Sequence, residues 1–239
     1  MQHSFFALHR HPEVSKLEFE DCVLRQTAPA LLSKECDISQ VMVDVCTERP
    51  PALPVEALPV DWDASIVISA ASADGSPSTQ INALLADCAV ISGQWRVSLL
   101  EVADLSEAWT GTATPGHKLS FVMEPGSGID PASFETWLRN DLFDAVRLEK
   151  REVGARAILP APDAEVGRAV VSYWFSDTTS RDAAISGHLF DSVLGSTLIN
   201  RDSLATFMSV EHRLSPNPNT WSMPSEPLLA ARKTAEPDQ

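Results

Sequence analysis

The sequence predicts an α+β fold of two tandem βαββαβ units of ferredoxin-like order, residues 1–106 and 116–215, followed by an irregular arm over 216–239. Three observations carry this expectation. Apolar runs and helix-period stretches follow one another as strand, helix, strand, strand, helix, strand, and they do so twice. Equivalent landmarks lie about one unit apart, Phe134 falling 115 residues after Phe19 and Phe207 falling 110 after Val97. Several strands are apolar at consecutive positions, as in Phe5-Phe6-Ala7-Leu8, Ile66-Val67-Ile68 and Ala169-Val170-Val171. Both faces of each sheet should therefore be covered, one by helices and the other by the partner unit.

The first unit opens with a strand over Phe5 to Arg10, halted before Pro12. Ser15-Lys-Leu-Glu18 forms a capping box that starts a helix through Phe19, Cys22, Val23 and Leu31, with a kink or early end expected at Pro29. Ser39 to Cys46 and Ala64 to Ser69 are strands, joined by the stiff, proline-rich loop Glu48 to Pro59. Ser76-Pro77 starts a second helix carrying Ile81, Leu84, Leu85 and Cys88, and Trp95 to Val102 is the closing strand. The segment Ser106 to Gly116, rich in Thr, Gly and Ala, suits a linker.

The second unit has the clearer pattern. Lys118 to Glu124 is a strand ending at Pro125-Gly126, and Asp130-Pro131 supplies an N-cap and a first-turn proline. Phe134, Trp137, Leu138, Leu142, Ala145 and Val146 then recur at helical spacing, ending near Arg147 to Lys150. Gly154 to Leu159 and Arg168 to Phe175 are strands, Ser180 to Leu194 a helix stopped by Gly195, and Leu204 to Leu214 the last strand.

Composition bounds the function. An apolar fraction of 44% is that of an ordinary globular protein, and no apolar run is long enough to span a bilayer or to serve as an export signal, so a cytoplasmic protein without a membrane partner is expected. With 33 acidic against 18 basic residues and a net charge of −15, most of the surface would repel a phosphate backbone, which argues against nucleic acid. Cys22, Cys36, Cys46 and Cys88 match no zinc spacing and no CxxC, and are read as small core residues; no metal site is expected. GxGxxG, GxxxxGK[ST], HExxH, GxSxG and calcium-loop patterns are all missing.

In the second unit, Val170-Val-Ser-Tyr-Trp-Phe-Ser-Asp177, a helix containing Asp191, and Phe207-Met-Ser-Val-Glu-His212 resemble the strand, helix and acidic-His closing strand of EthD-like members of the dimeric α/β-barrel superfamily. In the first unit, Phe19 and Thr27-Ala28-Pro29-Ala30-Leu31 are similar to a family helix reading Phe, spacer, His-Ala-Pro-Leu. The resemblance implies that the two units pack as an intramolecular dimeric α/β barrel. Thr27, and Phe143 in the second unit, stand where the family has a helical histidine, so any chemistry resting on it is lost here. The superfamily spans monooxygenases, polyketide cyclases, decarboxylases and haem enzymes, and fold alone does not choose among them.

Candidate residues follow from chemistry and position. His188, three residues before Asp191 on a helix, is within reach of that carboxylate, which would orient its imidazole; an exposed helical ion pair is the plain structural alternative. Glu211 and His212 are adjacent on a strand and point to opposite faces, so either His212 faces a pocket or it is a satisfied core residue. His9, with His11, marks a strand end that either meets a ligand or lies in solvent. Trp137 and Trp174 either pack the core or line a cavity for a planar ligand, and Tyr173 is the single tyrosine available as a general acid. These readings converge on a small apolar, aromatic or polyketide-like ligand under the helices of the second unit, with cofactor-free proton transfer by His188 or His212 as the expected chemistry. A non-catalytic binding or assembly module is the alternative, the arm with Trp221, Leu228 and Leu229 offering a contact for a homo-oligomer. A haem enzyme with His188 as axial ligand is the third reading.

Overall fold

A computed structural model describes residues 2–33, 38–47, 58–60, 62–70, 77–104, 117–141, 154–160, 168–175, 177–186 and 190–216. The inter-strand loop 48–57, the linker, His188 and the arm beyond 216 lie outside the described residues, as does the whole 142–150 extension expected of the helix after Asp130.

The elements run β1 (Gln2–Arg10), α1 (Lys16–Cys22), a π-helical turn (Val23–Thr27), α2 (Ala28–Ser33), β2 (Ile38–Cys46), β3 (Leu58–Pro59), β4 (Ala64–Ala70), α3 (Pro77–Ala86) and β5 (Ile91–Asp104). The second half follows with β6 (His117–Met123), α4 (Pro131–Arg139), β7 (Gly154–Pro160), β8 (Ala169–Phe175), α5 (Thr178–Ser186), α6 (Asp191–Leu194) and β9 (Ala205–Leu214). Local chemistry explains the boundaries. Ser15 Oγ accepts the Glu18 amide at 3.2 Å and Asp130 Oδ1 that of Ser133 at 2.9 Å, each satisfying a donor orphaned at a helix start. Removing the first cap as Ser15→Ala should lower stability by about 1 kcal/mol, read as a lower denaturation midpoint with unchanged slope.

Pro29 breaks the first helix upstream of itself. Its ring would crowd the carbonyl of residue 25, and the helix widens instead, the Ala28 amide bonding back to Val23 O five residues earlier. The helix expected over 180–194 is likewise divided into α5 and α6, and the Gly195 amide closes α6 on Asp191 O at 2.7 Å. A Cβ at Gly195 would stand 2.6 Å from that carbonyl, so only glycine fits.

Each half lays down four strands in the same order, β2-β4-β1-β5 and β7-β8-β6-β9, all antiparallel neighbours. The two sets meet at both edges, β5 against β7 and β9 against β2, so a ladder of eight strands returns to its start; β3 adds a short parallel pair outside β9. This corrects the expectation of two separate sheets stacked face to face. A free four-stranded sheet exposes two rows of unpaired amides and carbonyls, and edge-to-edge joining satisfies them while curling the sheet buries its inner face.

The apolar residues divide into three layers. Phe6, Phe19, Leu31, Val43 and Ile66 lie between the first half's helices and strands. Phe121, Phe134, Trp137, Tyr173 and Phe190 do the same in the second half. Inside the closed ladder, Phe5, Met42 and Val67 from one half meet Val122, Val170 and Phe207 from the other. Trp62 sits edge-on to both Phe5 and Phe207, at 6.2 and 5.7 Å between ring centres.

Candidate functional site

Among the buried polar side chains of the described residues, two sets bear most directly on function. The first is a row across the inner face of five strands, set by register: Ser65 pairs with Asp44, Asp44 with Glu211, Ser209 with Lys118, and Lys118 with Trp174. Lys118 Nζ lies 2.8 Å from both Asp44 carboxylate oxygens and 2.9 Å from Glu211 Oε2, with all three side chains 3% exposed. Arg213 Nε donates to Glu211 Oε1, and Ser65 and Ser209 donate to Asp44 at 3.3 Å. Among the described residues Lys118 and Arg213 face Asp44 and Glu211, two cations to two anions, and the Lys118 ammonium stands 4.9 Å over the Trp174 ring centre. Asp44 comes from the first half and the other three charges from the second, so the row ties the halves together.

The second group is a single hydroxyl. Tyr173 is 1% exposed and packs edge-on against Phe121 (6.1 Å between ring centres) and Phe190 (5.1 Å), while Phe121 and Phe190 also touch at 5.2 Å. Among the described residues its Oη has no hydrogen-bond partner. Burial pushes the phenol above its ordinary pKa, so it is a neutral O–H donor at physiological pH. An orphaned hydroxyl in an apolar layer costs about 1–3 kcal/mol unless something accepts its proton.

The expected site residues fall in several places. Trp137 stacks on Phe134 in the helix–sheet layer, while Trp174 faces the inside of the ladder over Lys118, so the two indoles lie on opposite sides of the sheet and line no common cavity. Glu211 and His212 do point to opposite faces. His212 is buried at the seam, paired with Val43 of β2 on the stretch of β9 that has left β6. Asp191 is exposed at the start of α6, and its proposed partner His188, together with the haem reading that rests on it, lies outside the described residues. His9 is half-buried opposite Gly93, and β1 ends at Arg10, so His11 does not share its strand face. Among the described residues no cluster of three or more His, Cys, Asp or Glu side chains is placed to hold a metal, and no helix is long and apolar enough to cross a membrane.

Sequence reasoning missed the charged row, although a signal was present. Asp44 interrupts Val41-Met-Val-Asp-Val45, and Lys118 stands at the head of an apolar strand; a charge at a strand position that must face inward demands a buried partner.

No protein-family model matches this sequence, and no curated protein does. Solved structures do. An anthrone oxidase-like protein superposes with a TM-score of 0.61 at 8% identity, over 90% of this chain and 93% of that one. A candidate monooxygenase from Lactobacillus acidophilus NCFM gives 0.52 at 9% identity over 90% and 96%, and a mutant chlorite dismutase from Candidatus Nitrospira defluvii gives 0.52 at 9% over 96% and 94%. At such identities the likeness is one of fold, and the fold it shows is that of the dimeric α/β-barrel proteins.

Proposed function

We propose that the chain is an internal duplication, the intramolecular counterpart of a dimeric α/β barrel of EthD-like type, and that its second half binds a small aromatic or polyketide-like compound against Tyr173. The identical strand order of the two halves supports the duplication. The observation that carries the ligand is the Tyr173 hydroxyl, buried among aromatic rings with its donor unspent. Such a site suits a flat apolar molecule with one carbonyl or phenolate oxygen, the rings supplying contact area and the phenol fixing orientation. A phenol held neutral can donate a proton or hydrogen bond to an oxyanion as it develops, which is the protein's half of an enolisation, cyclisation or decarboxylation. His188, two positions before Phe190 in the chain, is the proposed base, and Asp191 its orienting carboxylate. His212 is the alternative base.

The test is a thermal-shift screen with hydroxylated aromatics and 1,3-diketones on the wild type and Tyr173→Phe. Compounds that stabilise the wild type should lose at least tenfold in affinity for the variant, about 1.4 kcal/mol, while the unliganded variant is as stable as the wild type or slightly more so. A panel that leaves the wild type unmoved, or moves both proteins equally, would overturn the assignment.

A second reading, a binding or assembly module without catalysis, is favoured by Thr27. It is buried where the resembled family carries its helical histidine, and its hydroxyl contacts the Cys88 sulfur. Turnover of any stabilising ligand would exclude it.

A further inference from the structure

We propose that Cys22 and Cys88 are an oxidative modification site, a pair of thiols that closes to a disulfide on exchange with a low-molecular-weight disulfide. The two sulfurs lie 3.8 Å apart although 66 residues separate them, one at the C-terminal end of α1 and the other in the turn between α3 and β5. Neither is a core residue. Both are half-buried, which corrects the expectation of small core cysteines, and Cys22 also contacts Gln26 at the surface.

The local backbone explains the meeting. In an α-helix, residues five apart point about 140° away from each other, whereas a wider π turn brings them to nearly the same side. The Val23–Thr27 turn follows Cys22 directly and ends on Thr27, and both side chains reach Cys88: Thr27 Oγ1 lies 3.5 Å from its sulfur. The widening that accommodates Pro29 thus builds a three-residue thiol site. A disulfide needs the sulfurs to approach from contact to about 2.05 Å, a step within reach of side-chain rotation.

The chemistry balances as two exchanges. One cysteine thiolate attacks a sulfur of oxidised glutathione, forming a mixed disulfide and releasing one glutathione thiolate. The other cysteine thiolate then attacks the protein sulfur, expelling the second and closing the Cys22–Cys88 bond. The two protein thiols give up two protons and two electrons, and the small disulfide takes both electrons. Burial first, and the neighbouring Cys88 next, hold the Cys22 thiol above its ordinary pKa, so the exchange should accelerate as pH rises. Cys46 is an internal control: burial, then Asp44, push its thiol up, and it sits on the inner side of β2.

The experiment treats the reduced full chain with oxidised glutathione, counts thiols after denaturation, and maps peptides. Of the four cysteines, two should remain titratable, the intact mass should fall by about 2 Da, and one linked pair, Cys22 with Cys88, should be recovered. Cys22→Ser and Cys88→Ser should each retain a glutathionyl adduct without a cross-link, and Cys46→Ser should behave as the wild type. A wild type that carries stable glutathionyl adducts, links Cys36 or Cys46 instead, or keeps all four thiols would overturn the proposal.

Discussion

Replacing Lys118 by methionine should cost the protein about 3–5 kcal/mol of folding stability, seen as a large drop in the urea midpoint. The lysine places its ammonium on the Asp44 and Glu211 carboxylates, each 3% exposed, and the substitution takes from two interior anions the cation they share, with Arg213 and two serine hydroxyls still beside them. Removing one partner of a buried pair is expensive because the other keeps its desolvation cost. Replacing one cation and one anion together, as Lys118→Met with Asp44→Leu, leaves Glu211 paired with Arg213 and should return much of the loss. A single variant that loses less than about 1 kcal/mol would mean that water reaches these groups and that the seam does not depend on them.

Phe121→Ala should cost about 3–5 kcal/mol, the range for emptying a buried aromatic site that cannot collapse. Phe121 is fully buried on β6 and touches both Tyr173 and Phe190, so the substitution opens a cavity lined by rings beneath the orphaned hydroxyl. Such a cavity stays dry and admits a small aromatic guest. Phenol, with an oxygen to accept from Tyr173, should restore part of the lost stability and do so better than benzene. Equal rescue by both, measured as shifts in melting temperature, would separate cavity filling from recognition by the hydroxyl. The two variants also divide the molecule: Lys118→Met perturbs the inner face of the sheet and should spare ligand binding on the outer face, whereas Phe121→Ala, on the outer face, should change stability and ligand binding together.

The anthrone oxidase-like, monooxygenase and chlorite dismutase neighbours bear different names on one fold, which is why the argument for function rests on Tyr173 and its surroundings. Burial makes that reading specific, because an exposed tyrosine would satisfy its hydroxyl with water and say nothing about a ligand.

Short-range pattern was enough for the elements. Ser15 and Asp130 announced two helix starts, Pro29 a disruption, Gly195 a stop, and the apolar runs eight strands, because caps, proline and side-chain period act within a few residues. The pairing of β5 with β7 and of β9 with β2 was not legible, since an edge strand carries no local mark of the partner that will cover it. For the same reason Trp137 and Trp174 looked like neighbours and proved to stand on opposite faces, a matter of strand parity and of which face curls inward. Asp44 meets Lys118 across 74 residues, and Cys22 meets Cys88 across 66, through register and helix width that arise only when the whole ladder has closed. Residue order sufficed to lay down strands and helices; the company each polar group keeps was decided by long-range pairing, where burial cost selects the arrangement that leaves the fewest charges and amides unmatched.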